Sequence, residues 1–95
     1  SLEDNYLTGT IPTTLGKLSF MALLDLSQNS ISGTIPAIFS NLRALNYLAL
    51  NSNQLSGTLP SSLANCTSLG FLLLNNNQLS GSVPDTLWKL SNLQK

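Results

Sequence analysis

Residues 69–92 read LGFLLLNNNQLSGSVPDTLWKLSN, a 24-residue phrase that recurs along the chain. Glycines stand at Gly9, Gly33, Gly57 and Gly81, prolines at Pro12, Pro36, Pro60 and Pro84, and asparagines at Asn5, Asn29, Asn53 and Asn77, each series stepping by 24. All four prolines of the chain and four of its six glycines keep this step, which chance does not supply. Self-similarity at a fixed period of this length marks an array of stacked units, none of which buries its apolar face alone.

The apolar positions keep the same step. Leu7, Ile31, Leu55 and Leu79 make one column, Ile11, Ile35, Leu59 and Val83 a second, and Leu15, Phe39, Leu63 and Leu87 a third. Leu18, Leu42, Cys66 and Leu90 make a fourth, and Met21, Leu45, Leu69 and Leu93 a fifth. The pairs Leu24 with Leu26, Leu48 with Leu50 and Leu72 with Leu74 alternate with period two, so Leu23, Asp25 and Ser27 face the other way. Such alternation marks a strand with one buried face. One strand per unit, always in the same direction, predicts a parallel sheet with strands about 4.8 Å apart.

The remaining columns have physical reasons of their own. Where a coil turns away from its strand, backbone groups are left unpaired inside, and an inward Asn amide both donates and accepts. Asn5, Asn29, Asn53 and Asn77 are therefore read as a structural ladder along the axis. Glycine marks a turn or a close backbone approach. Proline fixes φ and stops a regular α-helix. An extended segment near Thr34 and Ile35, then a short 3₁₀ turn after Pro36, is predicted on these grounds.

The unit LxxLxLxxNxLSGxxPxxLxxLxx, whole from Leu69 to Asn92, resembles the 24-residue plant-type leucine-rich repeat of receptor-like kinase and receptor-like protein ectodomains. The resemblance spans essentially the whole chain. Its most discriminating stretch is Leu79, Ser80, Gly81, Ser82, Val83 and Pro84. It implies an α/β-type right-handed solenoid with a parallel β-sheet on the concave face. Short 3₁₀ turns and extended segments, with a second short strand before the Pro, lie on the convex side, and there is little or no regular α-helix. One uncapped array is expected over 1–95, with a partial repeat 1–20, repeats 21–44, 45–68 and 69–92, and the start of another at 93–95. No polar or Cys-bearing cap stands at either end, so native flanking repeats or caps are expected there, and the segment alone should be only marginally stable.

Composition narrows the function. Charged residues are 8% of the chain, against roughly 25% in an average globular protein. Four basic and four acidic side chains cancel, so neither the basic stripe of a nucleic-acid binder nor a polybasic membrane patch is expected. No apolar run approaches the roughly 20 residues that cross a bilayer, and no signal peptide is seen. The chain has no His, and Glu3 and Asp4 belong to the first coil and Asp85 to the last, in no convergent arrangement. No catalytic residue, metal site or cofactor is assigned, and an enzyme within this segment is not expected. The resemblance leaves open a kinase domain and a membrane helix elsewhere in the parent chain. An extracellular or cell-surface location rests on the resemblance alone.

The resemblance also implies that ligands dock on the outward residues of the concave strands. Those are Leu23, Asp25, Ser27 and Gln28, then Tyr47, Ala49, Asn51 and Ser52, then Phe71, Leu73, Asn75 and Asn76, with Glu3 and Asp4 in the partial first rung. Leu23, Tyr47 and Phe71 make an apolar column on a face expected to be wet. Leu73 sits beside it, and Ser27, Asn51 and Asn75 run alongside as a polar strip. This pattern suits an extended peptide or a protein loop. Plain cross-strand stacking, with no ligand, accounts for the same column. Glu3, Asp4 and Asp25 either meet a basic partner or are simply solvated.

Asn65-Cys66-Thr67 is the only N-glycosylation sequon, and its use is conditional on secretion. The matching Asn41 is followed by Leu42 and Arg43, so a structural role for this column stays open. Cys66 takes a Leu position and reads as a small buried hydrophobe, not a reactive thiol. Phe20 and Trp88 depart from their columns and are expected to cover neighbouring apolar surface or to touch another subunit. The expected function is a scaffold that recognises a protein or peptide, as part of a receptor ectodomain. A secreted inhibitor, a cell-wall structural protein and spacer repeats without ligand are the alternatives.

Overall fold

The computed structural model describes residues 6–80. Along them run η1 (Thr13–Lys17), β1 (Leu23–Asp25), β2 (Ser32–Thr34), η2 (Ala37–Asn41), β3 (Tyr47–Ala49), β4 (Gln54–Gly57), η3 (Ser61–Asn65), β5 (Phe71–Leu73) and β6 (Gln78–Leu79), where η denotes a 3₁₀ helix. The first sheet has the order β1-β3-β5 and the second β2-β4-β6, all pairs parallel. The three 3₁₀ turns stack on one another as a further side of the coil. No α-helix is present among the described residues.

Each 3₁₀ turn follows a proline, at Pro12, Pro36 and Pro60. It closes when the next backbone N–H, at Leu18, Leu42 or Cys66, donates back to Leu15, Phe39 or Leu63. Five residues are too few for α-helical bonding to propagate, so the tighter i→i+3 pattern prevails. The extended segment predicted near Thr34 and Ile35 lies slightly earlier, at Ser32–Thr34. Ile35 instead turns inward and is buried.

The two sheets do not step alike. In the first, Leu23 pairs with Tyr47 and Tyr47 with Phe71, so the 24-residue step of the sequence is kept. In the second, Ser32 pairs with Gln54 and Ser56 with Gln78, a step of 22. The coils are therefore staggered by two residues along the second sheet, and equivalent residues there do not sit opposite each other.

The asparagine column ties each coil to the one before it. Asn53 Nδ2 donates to Leu26 O of the preceding coil at 2.9 Å and to Leu50 O of its own at 3.2 Å, while its Oδ1 accepts from Ile31 N at 3.0 Å. Asn77 repeats the pattern with Leu50 O, Leu74 O and Leu55 N. Asn29 Oδ1 accepts from Leu7 N, and its Nδ2 donates to Leu26 O. Leu26 O and Leu50 O each receive two amides, one from their own coil and one from the next. Asn5, the remaining predicted rung, lies outside the described residues.

The turns carry two further constraints. Gly33 and Gly57 sit at φ +82° and +78°, and a Cβ added to either would lie 2.9 Å from the Cγ2 of Thr10 or Thr34 in the preceding coil. Both the backbone conformation and the close approach thus require glycine. Gln28, Ser52 and Asn76 form a second left-handed column, at φ 56°, 60° and 60°. Asn tolerates this region well; Gln and Ser do so at a cost of about 1 kcal/mol.

Among the described residues the apolar columns point inward as predicted, and Val83, Leu87, Leu90 and Leu93 lie outside them. Phe39, Leu42, Leu45, Leu48, Leu50, Leu55, Leu63, Cys66 and Leu69 are fully buried. Leu18 differs, at 49% exposed against 0% for its column mates Leu42 and Cys66. It lies in the first described coil and has a stacked neighbour on one side only among the described residues.

Asn53→Ala should strand the Ile31 amide, because Leu26 O and Leu50 O keep their other donors. The expected loss is about 1–3 kcal/mol in chemical denaturation. Asn46→Ala, whose amide bonds Ser68 O at the surface, should change stability by less than about 0.5 kcal/mol. Equal losses for the two variants would remove the ladder from its structural role. Gln28→Gly should instead raise stability, by about 0.5–1 kcal/mol, by relieving a left-handed backbone.

Candidate functional site

The first sheet presents the outward residues as two parallel columns. Leu23, Tyr47 and Phe71 stand opposite one another in register, and so do Asp25, Ala49 and Leu73. In the first column Leu23 is 49% exposed, Phe71 41% exposed and Tyr47 half-buried. The Tyr47 and Phe71 rings lie 5.9 Å apart between centroids with planes inclined by 42°, a tilted contact that holds both rings in place. The predicted apolar ridge therefore exists, and part of each side chain remains open to solvent.

The second column is less accessible than its sequence positions imply. Ala49 is 1% exposed, because Asp25 and Leu73 flank it and stand taller than its methyl. It is corrected from a contact residue to part of the floor. Leu73 is half-buried beside it. Ser27, expected on the surface, is buried as well. Asp25 Oδ1 accepts from both Ser27 N at 3.0 Å and Ser27 Oγ at 2.6 Å, which folds the serine against the strand end. One oxygen of that carboxylate thus closes a local turn of the Asx type, while the half-buried side chain keeps its second oxygen. Glu3 and Asp4 lie outside the described residues.

Asn51 and Asn75 continue the polar strip, the first half-buried and the second exposed. Asn51 Oδ1 is buried without a hydrogen-bond partner among the described residues. An unpaired buried acceptor costs about 1–3 kcal/mol. Beyond the strip, Asn76 Nδ2 reaches Ser52 Oγ at 3.4 Å. The column of Gln28, Ser52 and Asn76 is where sequence reading missed a feature: nothing in these three residue types announces a left-handed turn, except that one is Asn.

The remaining candidates lie elsewhere on the coil. Asn65 closes η3 and is exposed. Phe20 is 95% exposed and covers no neighbouring surface, contrary to expectation. Trp88 lies outside the described residues. Cys66 is a free thiol, fully buried, and its Sγ donates to Phe39 O at 2.6 Å. Burial pushes that thiol from its ordinary 9.0 up to about 11. No helix among the described residues is long and apolar enough to cross a membrane.

A stack of parallel coils with an exposed strand face is the architecture of a repeat recognition module. The chain belongs to the leucine-rich repeat family, whose models match residues 1–55 and 68–90. Its 24-residue unit is of the plant type, and plant proteins are among its structural likenesses. A plant peptide-hormone receptor solved in complex with its peptide is 46% identical over 96% of this chain, with a TM-score of 0.92. The Arabidopsis receptor kinase HAESA, in complex with the peptide hormone IDA and a co-receptor, is 36% identical over 97%, also at 0.92. A plant ice-binding protein is 38% identical over 84%, at 0.81. The chain spans 15% of each receptor's length and 26% of the ice-binding protein's. No curated protein matches it.

The raised thiol has a measurable consequence. A group that holds its proton more tightly when folded favours the folded state while protonated. That contribution is present below about pH 9 and is lost as pH rises towards about 11. Wild type should therefore lose more stability than Cys66→Ala across that window. In the native chain at pH 8, Cys66 should resist alkylation by iodoacetamide until the protein is unfolded. Rapid native labelling would contradict its place in the core.

Proposed function

We propose that this segment is a recognition surface for a protein or peptide, acting through the first-sheet face, and that it performs no catalysis. The carrying observation is the ridge of Leu23, Tyr47 and Phe71. Three large side chains stand in register on a solvent-facing sheet, and two of them are more than two-fifths exposed. Contiguous exposed apolar groups on an otherwise polar surface mark interaction sites. The ridge crosses the strands, so an extended ligand would lie across the strands and place successive apolar side chains against successive coils.

Two further observations support the reading. Asn51 Oδ1, two outward columns from the ridge, has no donor among the described residues, and an incoming N–H group can supply one once the amide rotates outward. The hormone receptor and HAESA were both solved with a bound peptide, so closely similar coils belong to proteins that take such ligands. The same likeness supports an extracellular placement in a receptor ectodomain. Ser27 and Ala49, both buried, fall out of the ligand face, and Leu23, Asp25, Tyr47, Phe71, Leu73, Asn51 and Asn75 remain.

The Tyr47–Phe71 ring contact favours a second reading, in which the ridge only stabilises the sheet. The two readings separate cleanly. The chain with stable capping repeats, and its Tyr47→Ala plus Phe71→Ala variant, should be screened against a displayed library of extracellular peptides and proteins. Recognition through the ridge predicts a binder weakened at least roughly thirty-fold by the double change, since the loss of even one hot-spot side chain costs about 2 kcal/mol or more. Circular dichroism should not change. A binder indifferent to the double change, or a variant that loses stability while binding nothing at all, would assign the ridge to stacking.

A further inference from the structure

We infer that Asn65 is an N-glycosylation site and that its glycan stands on the helical side of the coil, clear of both sheets. The inference rests on the extracellular placement proposed above. It begins with Asn65-Cys66-Thr67, the chain's single sequon, but the geometry around those residues carries it further.

Asn65 is the last residue of η3, and both it and Thr67 are exposed. Cys66 between them is fully buried and its thiol donates to Phe39 O. The middle residue thus anchors the tripeptide in the core while the two recognition residues face solvent. A turn follows at once, closed by Leu69 N donating to Cys66 O at 2.9 Å. The sequon therefore straddles the end of a short helix and a tight turn, with no strand backbone to disturb.

The two preceding coils leave room for a large substituent. The residues one and two coils back, Asn41 and Lys17, are exposed as well. η3 packs on η2, and neither helical turn contributes to the first or second sheet. A glycan on Asn65 accordingly leaves the ridge open and shields the helical side, so partners are confined to the strand face. Asn41 holds the same place in the preceding coil but carries Arg43 where Asn65 has Thr67, so the hydroxyl two residues on is missing.

The reaction needs a polyprenyl-pyrophosphate-linked oligosaccharide as co-substrate. Asn65 Nδ2 forms a bond to the sugar's C1 and gives up one proton. The C1–O bond to pyrophosphate breaks, and the polyprenyl pyrophosphate leaves with that electron pair. No oxidation or reduction is involved.

The test is to express the full chain that contains this segment behind a cleavable secretory leader in a eukaryotic host, and to read Asn65 by mass spectrometry of the secreted protein. The expected result is a glycan at Asn65, lost in Asn65→Gln and in Thr67→Ala and retained in Thr67→Ser. Arg43→Thr, which gives Asn41 the missing hydroxyl, should add a second glycan one coil away. Secreted protein with unmodified Asn65 would overturn the assignment, whatever becomes of the ridge. Export of the natural chain, with its own leader, is followed separately. Retention in the cytosol would overturn the extracellular reading and, with it, this modification in the natural protein.

Discussion

Among the described residues, successive coils are joined by one side-chain amide that serves two coils at once. An Asn at the strand's end donates to carbonyls of its own coil and of the preceding one, and accepts an N–H from the preceding one. Backbone groups that would otherwise be buried and unpaired are satisfied in this way without an α-helix or a broad sheet. Three-residue strands and five-residue 3₁₀ turns are too short to hold a fold by themselves. They persist because the ladder sets the height of each step and the apolar columns fill the space between steps.

That division of labour frees the outward strand positions. Inward residues must be Leu, Ile, Phe or an equivalent, the ladder must be Asn, and the tight crossings at Gly33 and Gly57 admit no Cβ. None of these constraints reaches Leu23, Tyr47 or Phe71, which are therefore open to selection for what they touch. On the proposed reading, recognition and stability draw on different residues of the same strand. Asp25 shows where that separation is incomplete: an outward strand residue lends one carboxylate oxygen to a local turn.

The periodic features are legible in the amino-acid sequence. Columns of Leu, Asn, Gly and Pro at one spacing specify strand, ladder, crossing and helical turn, because each residue type answers a backbone need repeated in every coil. Features that depend on differences between coils are not legible in this way. Ala49 is buried because its register neighbours happen to be taller, and Ser27 because Asp25 stands two residues before it. Phe20 breaks its column and finds nothing to cover. The stagger of the second sheet is hidden for another reason. Strand pairing there sets residues 22 apart opposite each other, and a repeat of 24 cannot reveal it. The left-handed column at Gln28, Ser52 and Asn76 is similarly concealed, since two of its three members have no preference for that conformation.

The central claim is that the open ridge of the first sheet is the contact surface, and side-chain footprinting tests it most directly. Hydroxyl-radical labelling of the chain, free and bound to a partner selected from the library, reads the solvent access of each large side chain. The account predicts protection of Leu23, Tyr47 and Phe71 on binding, with Phe20 labelled equally in both states. Protection of Phe20 or of the helical turns, with the three ridge residues still labelled, would contradict it.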